Sequence, residues 1–449
     1  MSPAQPDGAP LPGAGELPEQ VRRAPQAAPG PGKAGTRPFS VYLHVPYCRV
    51  RCGYCDFNTY TNLSLGSGAS ASDYRSTLAG ELRLARAAMD RAGLPEREVR
   101  TVFLGGGTPT VLPAGDLASM VALVRRTWGL AEDAEVTTEA NPETVDERYL
   151  EALAEAGFTR VSFGMQSAVP HVLKVLDRTH RPERVPLVVR WARRAGLATS
   201  LDLIYGAPGE SMEDWRRSLD AAVEIGPDHL SAYALVIEEG TRMWAQVRRG
   251  ELPMPEDDDE AAKYEMADAA LAGAGYRWYE ISNWARPGFE CRHNMAYWHD
   301  WDWWGAGPGA HSHLGDVRMW NTRHPVAWAG RVRDGRLPVA GHEVIDAAAR
   351  ELERVMLGIR LRQGLAVESF ARAGADAPRA GPDGPRAGPD GPRAGPDGPT
   401  GPLKRLLAVV TELVAGGLLE TEAALDGRLV LTLRGRLMAD AVTRTLTEA

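Results

Sequence analysis

The chain has 449 residues, 44% hydrophobic and 24% charged, a globular balance that excludes a wholly disordered protein and, by length, suggests about three domains. A formal net charge of -8 gives no basic field for phosphate backbones, so nucleic acid is a poor first partner. No apolar run approaches the ~18 residues that span a bilayer and no secretory signal pattern is found, so a cytoplasmic, non-spanning protein is expected.

Residues 1–38 hold 15 Gly plus Pro and few large apolar side chains (Leu11, Leu17, Val21), too few to offset the entropy of ordering. A disordered Pro/Gly-rich leader is expected there. From 39 to 275 short β-branched runs alternate with amphipathic stretches. The runs 40–44, 99–104, 135–138, 160–163, 199–204 and 229–235 read as strands; 72–91, 114–128, 146–156, 182–195 and 212–225 read as helices, with apolar residues three and four apart. These units predict an α/β fold in which right-handed crossovers curl a parallel sheet into a partial (β/α)6 TIM-like barrel, with functional loops after the strand C-termini. A doubly wound Rossmann sheet is the rival arrangement.

Residues 276–371 read as a Trp- and His-rich segment with a helical extension: 278–328 hold eight of the twelve Trp, and 293–324 five of the ten His. Half of 372–402 is Gly or Pro, and Gly-Pro-Asp-Gly-Pro-Arg-Ala recurs from Gly381 and Gly388. A period of seven breaks the collagen triplet, so this stretch reads as a low-complexity linker without chemistry. In 403–449 a helix, Gly416-Gly417, strand-like runs at 418–421 and 429–433 around Asp426-Gly427, and another helix suggest a small α+β winged-helix-like module. Without a marked basic excess it is expected to be structural, with protein contact open to it.

Directly after the first strand, Cys48-Arg-Val-Arg-Cys52-Gly-Tyr-Cys55 gathers three of the four cysteines. The spacing does not suit a disulfide framework in a chain this long; it lets one loop wrap a 4Fe-4S cluster and leaves one iron without a protein ligand. Structural zinc is the alternative, but it needs a fourth ligand nearby, and Cys291 is 236 residues beyond Cys55. Gly105-Gly106-Gly107-Thr108-Pro109-Thr110 follows the second strand, and its bare glycines would let backbone amides approach a ligand. Glu139 ends the third strand, Gln166 the fourth, Arg178 follows on a helical stretch, and Asp202 lies on the fifth. Singly, each suits a hydrogen bond in the barrel core; at successive strand ends they suggest a binding site.

These motifs resemble the radical S-adenosylmethionine superfamily over roughly residues 39–365, and weakly over 402–446. The resemblance implies that Cys48, Cys52 and Cys55 hold the cluster and that S-adenosylmethionine chelates its open iron. It also implies that Tyr42, Gly106, Gly107, Thr108, Glu139, Gln166, Arg178 and Asp202 contact that cofactor, with Tyr54 near its adenine. Within the superfamily the chain is most similar to the oxygen-independent coproporphyrinogen oxidases and their relatives, the HemW-type heme chaperones. The oxidase branch has a further Cys two residues after the third cluster cysteine, where this chain has Phe57. The chaperone branch has His-Asn-x-x-Tyr-Trp, here His293-Asn294-Met295-Ala296-Tyr297-Trp298. The oxidase's long N-terminal extension, which helps shape its substrate site, is replaced here by the Pro/Gly-rich leader.

The chaperone resemblance implies a protein that binds heme as cargo, with His293 as a contact, and delivers it to heme-requiring clients, respiratory and in part membrane-associated. A radical enzyme of porphyrin biosynthesis is the alternative, and a cluster-bearing interaction protein without radical chemistry a third reading. Whether the chain is an enzyme, and whether it is a homodimer, stays open. Flat aromatic rings beside imidazoles suit a planar macrocycle. The same composition describes a Trp-rich core in which His293 only hydrogen-bonds. Cys291, His311 and His313 are secondary candidates for a heme contact.

Overall fold

The structure, a computed structural model, describes residues 7–13, 15–23, 37–373 and 401–448. The chain divides into two compact units, Met1–Trp278 with Ser282–Ile345, and Tyr279–Ile281 with Asp346–Ala449.

The first unit is built on β1 (Phe39–Val45), β2 (Val99–Gly106), β3 (Leu130–Ala140), β4 (Arg160–Gln166), β5 (Ala198–Tyr205) and β6 (His229–Ala234). Between and after them run α1 (Ala71–Arg91), α2 (Ala114–Trp128), α3 (Glu147–Glu155), α4 (Pro170–Val175), α5 (Arg184–Arg194), α6 (Met212–Ile225), α7 (Arg242–Arg248) and α8 (Asp257–Gly273). Local chemistry sets several of these limits. Asp146 accepts the Tyr149 N–H to start α3, and a Ser211/Asp214 capping box starts α6, which ends at Gly226 in the left-handed region. Apolar stripes bury the helices, as with Tyr74, Leu78, Leu82 and Ala85 of α1.

Strands β1 to β6 lie side by side in sequence order, all parallel, with registers such as Tyr42↔Phe103 and Asp202↔Ser231. This is the predicted partial barrel. A Rossmann sheet would reverse its order beside the first strand, and this one does not.

β7 (Arg277–Glu280) and β8 (Asn283–Ala285) follow, and β8 runs antiparallel beside β6. After α9 (Arg292–Trp298), β9 (Asp302–Ala306) pairs parallel with β1. β10 (His311–Leu314), β11 (Val317–Asn321) and, beyond α10 (Pro325–Arg333), β12 (Val339–Val344) extend the sheet antiparallel. Trp284, Trp301, Trp304, Trp320 and Trp328 are buried under these strands and helices. The expected flat aromatic surface is therefore corrected to a Trp-rich core, because the sheet extension consumes the indoles as packing.

The expectation of disorder for 1–38 also gives way over the described part of the leader. Ala9 bridges to His342, with N–H···O distances of 3.0 and 2.8 Å, and Leu17 and Val21 are buried, Val21 at 2% exposure. Arg22 reaches the Ala92 carbonyl, and Arg23 pairs with Asp316 at 3.3 Å. The free edge of β12 offers backbone partners that composition alone does not reveal.

The second unit contains α11 (Ala347–Ile359), β13 (Leu365–Ala366), α12 (Glu368–Ala373), α13 (Gly401–Ala415), α14 (Thr421–Leu425), β14 (Arg428–Leu429), α15 (Leu433–Leu437) and α16 (Ala439–Thr447). Val355, Ile359, Leu406, Val410, Leu429 and Val442 form its core. The wing differs from the expected strand pair. Residues 418–421 and 429–433 meet in one bridge, Leu419↔Leu431, while β14 pairs with β13. The partner strand thus comes from earlier in the chain, after Gly364 turns with φ 59°. Most of the expected linker, 374–400, lies outside the described residues.

Candidate functional site

The inward faces of β1 to β6 and the loops after them enclose a cavity of about 940 Å3. It brings together all the residues expected to hold the cluster or S-adenosylmethionine, and His293 as well. Strand alternation explains the selection: Thr137 and Glu139 on β3, Arg160, Ser162 and Gly164 on β4, Ser200 and Asp202 on β5 all point inward.

The cysteine loop is closed by a Tyr47↔Tyr60 bridge, with the Cys48 N–H on the Tyr60 carbonyl at 3.0 Å. Cys55 N–H donates to Cys52 O at 3.2 Å, and the Met243 N–H pins the loop through Gly53 O at 2.9 Å. Arg178 Nη1 donates to Cys52 Sγ at 3.5 Å and Thr108 Oγ1 to Cys48 Sγ at 3.7 Å. Burial pushes the Cys48 thiol up to about 11 and raises that of Cys55, so ionising them needs a positive centre beside the sulfurs. Among the described residues no three or more His, Cys, Asp or Glu are arranged to hold a single metal ion. A cubane takes its thiolates on separate irons, so sulfurs on one loop around one cavity fit a 4Fe-4S cluster better than tetrahedral zinc.

Across the cavity Glu139 and Asp202 are both half-buried. Burial first, and then the charge of Asp202, raise the Glu139 carboxyl to about 8, although it accepts the Gly106 N–H at 3.1 Å. Asp202 is also raised by burial, against hydroxyl hydrogen bonds from Ser231 at 2.5 Å and Ser162 at 3.0 Å. Arg178 Nη2 donates to Gly164 O at 2.8 Å, and a Cβ at Gly164 would sit 3.0 Å from that nitrogen and 2.8 Å from the Gln166 amide. Gln166 holds φ 61° where β4 slips register, which ends the strand and turns the residue into the cavity. Tyr42 O–H and His44 Nδ1 are 3.1 Å apart and His44 Nε2 and Asn58 O 3.0 Å; burial lowers the imidazole to about 4, so the neutral ring accepts from Tyr42 and donates to Asn58. Tyr54 packs on the apolar cluster of Val169, Val172, Leu176, Ile204, Leu235 and Met243.

The glycine loop departs from expectation. Its amides are spent inside the protein: Gly106 N–H on Glu139, Gly107 N–H on Val45 O and Thr108 N–H on Tyr47 O, both at 2.8 Å. At Gly106, with φ 103°, a Cβ would lie 2.4 Å from the His44 ring. The glycine is needed for close packing.

His293 lines the inner part of the cavity at 2% exposure. Nδ1 is 2.7 Å from Thr101 Oγ1, Nε2 is 2.9 Å from Tyr297 O–H, and the ring stacks on Phe103 at 5.1 Å. Desolvation lowers it to about 3, so it is neutral, with both nitrogens engaged. Cys291 lies there too, 3.5 Å from Glu135, its thiol pushed up to about 12 by burial. His311 and His313 do not line the cavity; His313 Nδ1 is 3.1 Å from Trp301 O.

Residue-by-residue reading of the sequence missed Ser162 and Ser231, which hold Asp202, and the polar inner residues Thr137 and Arg160. Their signal is alternation: Thr137 stands two positions from Glu139, and Arg160 and Ser162 keep the same two-residue phase along β4. It also missed the cavity's apolar rim, where Val50 (48%), Phe57 (59%), Tyr233 (46%) and Val236 (64%) are exposed.

A partial barrel with three loop cysteines over a polar cavity defines a protein of the radical SAM superfamily, whose sequence pattern matches residues 42–222. The chain is 48% identical over 426 residues, 95% of its length and 99% of the relative's, to a protein of Mycobacterium tuberculosis named heme chaperone HemW. It is 38% identical over 296 residues, 64% of this chain and 75% of the relative, to a protein of the same name in Escherichia coli. Its fold is shared with Escherichia coli coproporphyrinogen III oxidase, TM-score 0.71 at 22% identity, covering 92% of this chain and 90% of that one. The chain belongs to the HemW family.

Proposed function

We propose that this protein is a heme chaperone that carries a 4Fe-4S cluster and S-adenosylmethionine beside its heme cargo. The observation that carries the reading is the one cavity in which the thiol triad, two half-buried carboxylates, Arg178 and His293 face one another under an apolar rim. Cys48, Cys52 and Cys55 would hold the cluster, which when bound supplies an iron with an open position and a source of single electrons. Arg178 offsets thiolate charge at Cys52 and fixes the backbone at Gly164. Glu139 and Asp202 supply negative charge for the cationic cofactor, Gln166 and Tyr42 supply polar contacts, and Tyr54 offers a ring face toward the adenine. Val50, Phe57, Tyr233 and Val236 present the exposed apolar surface that a porphyrin plane requires.

Support for heme as cargo comes from the relatives' name across almost the whole chain. Phe57 at the rim, where the oxidase branch has Cys, favours carriage over porphyrinogen oxidation. The test loads the anaerobically reconstituted chain with heme and adds an apo heme protein as acceptor. Movement of the Soret band to the acceptor's position, faster than from free heme, is the expected result. Heme that never binds, or binds and is never released, overturns the reading.

A further inference from the structure

Below Glu139 and Asp202 the barrel interior is not filled with the branched aliphatic side chains that usually pack such a core. Thr137, Arg160, Ser162, Ser200 and His229 line the cavity instead. Arg160 is 5% exposed. Its Nη2 donates to Phe289 O at 2.8 Å and to Glu290 O at 3.4 Å, and it forms a buried ion pair with Glu135 at 3.4 Å. Glu135 is already occupied, accepting the His293 N–H at 2.9 Å, the Arg292 N–H at 3.2 Å and the Cys291 thiol at 3.5 Å. Arg160 Nε and Nη1 have no hydrogen-bond partner among the described residues, and neither has Thr137 Oγ1, on a residue 1% exposed.

Neighbouring hydroxyls do not relieve this: Ser162 serves Asp202, and Ser200 Oγ lies 2.6 Å from His229 Nδ1. A buried guanidinium with unmet donors is costly, and a carboxylate is the group whose planar, charged oxygens satisfy it best. The cavity that reaches it is near the upper end of the usual range for ligand sites, so there is room beyond one cofactor.

We propose that the cavity floor is a carboxylate subsite, in which Arg160 binds the anion and Thr137 Oγ1 donates to it. The carboxylate comes either from a propionate arm of the tetrapyrrole, a source that rests on the chaperone reading, or from a free small carboxylic acid, which does not.

Two titrations on the reconstituted full chain separate the sources: heme against heme dimethyl ester, and sodium propionate alone followed by calorimetry. Each is repeated on Thr137→Val, which keeps the volume and removes only the unpartnered hydroxyl, and on Arg160→Gln. The expected result is at least a tenfold loss in both variants, either of the preference for heme over its ester or of propionate-ion binding. If Arg160→Gln fails to fold, Thr137→Val decides. Equal affinity for heme and ester together with no propionate binding overturns the subsite and leaves the chaperone reading standing. Propionate binding without heme binding does the reverse. Variants indistinguishable from the parent in both titrations show that the floor holds only water.

Discussion

Glu139 and Asp202 are two carboxylates that share one cavity, and the chemistry of Glu139 follows from its desolvation and from that neighbour. Its carboxyl titrates at about 8, so at neutral pH the ligand-free form holds a proton that a cationic ligand must displace. S-adenosylmethionine binding should therefore tighten as pH rises from 6 toward 8, by up to about tenfold per unit, and level off above. Glu139→Gln should bind more weakly and lose this slope. A flat pH profile in the reconstituted parent would contradict the assignment. His293 makes a second case. Both its nitrogens are engaged, so ligating iron requires release of Thr101 or Tyr297. Tyr297→Phe removes the contact at Nε2 and should strengthen heme binding and shift the Soret band, at a stability cost of about 1 kcal/mol. Unchanged heme spectra in both Tyr297→Phe and His293→Ala would place the iron ligand elsewhere. The cysteines, Glu139 and Gln166 were legible because they lie in short motifs at or just after strand ends, Asp202 because it interrupts an apolar strand run, and Arg178 because it follows the fourth strand end within one short helical stretch. Arg160 and Thr137 were not, since their meaning depends on strand phase and on which donors their neighbours have already consumed.

At the scale of elements, all six predicted strands and all five predicted helices are present, because their apolar periodicity is strong and several ends carry capping residues. Errors fell where an element depends on a distant partner. The ordered leader residues are an example: Gly/Pro content argues for disorder, yet Ala9 completes a sheet edge and Val21 is buried. The wing is another, as Leu419 and Leu431 share one bridge while β14 found its partner at β13. Val21→Ala should cost about 1.5 kcal/mol or somewhat more if a cavity remains, read as a lower urea midpoint. An unchanged midpoint would mean that the leader does not contribute to the fold.

For the whole molecule, the apolar rim, the cavity behind it and the thiol loop between them form a single device, and its parts should fail separately. Cys48→Ala, Cys52→Ala and Cys55→Ala should each lose the cluster absorption, whereas Cys291→Ala, whose thiol sits against Glu135 in the inner cavity, should keep it. Retention of full iron and sulfide by a double mutant of the loop would show that the cluster is held by other groups. Among the described residues no helix is long and apolar enough to cross a membrane. Carriage and porphyrinogen oxidation are separated most directly by giving the anaerobically reconstituted chain heme and coproporphyrinogen in parallel, with S-adenosylmethionine and a reductant present. The account predicts saturable heme binding with a shifted Soret band and no decarboxylated porphyrinogen. Steady decarboxylation with no saturable heme binding would contradict it.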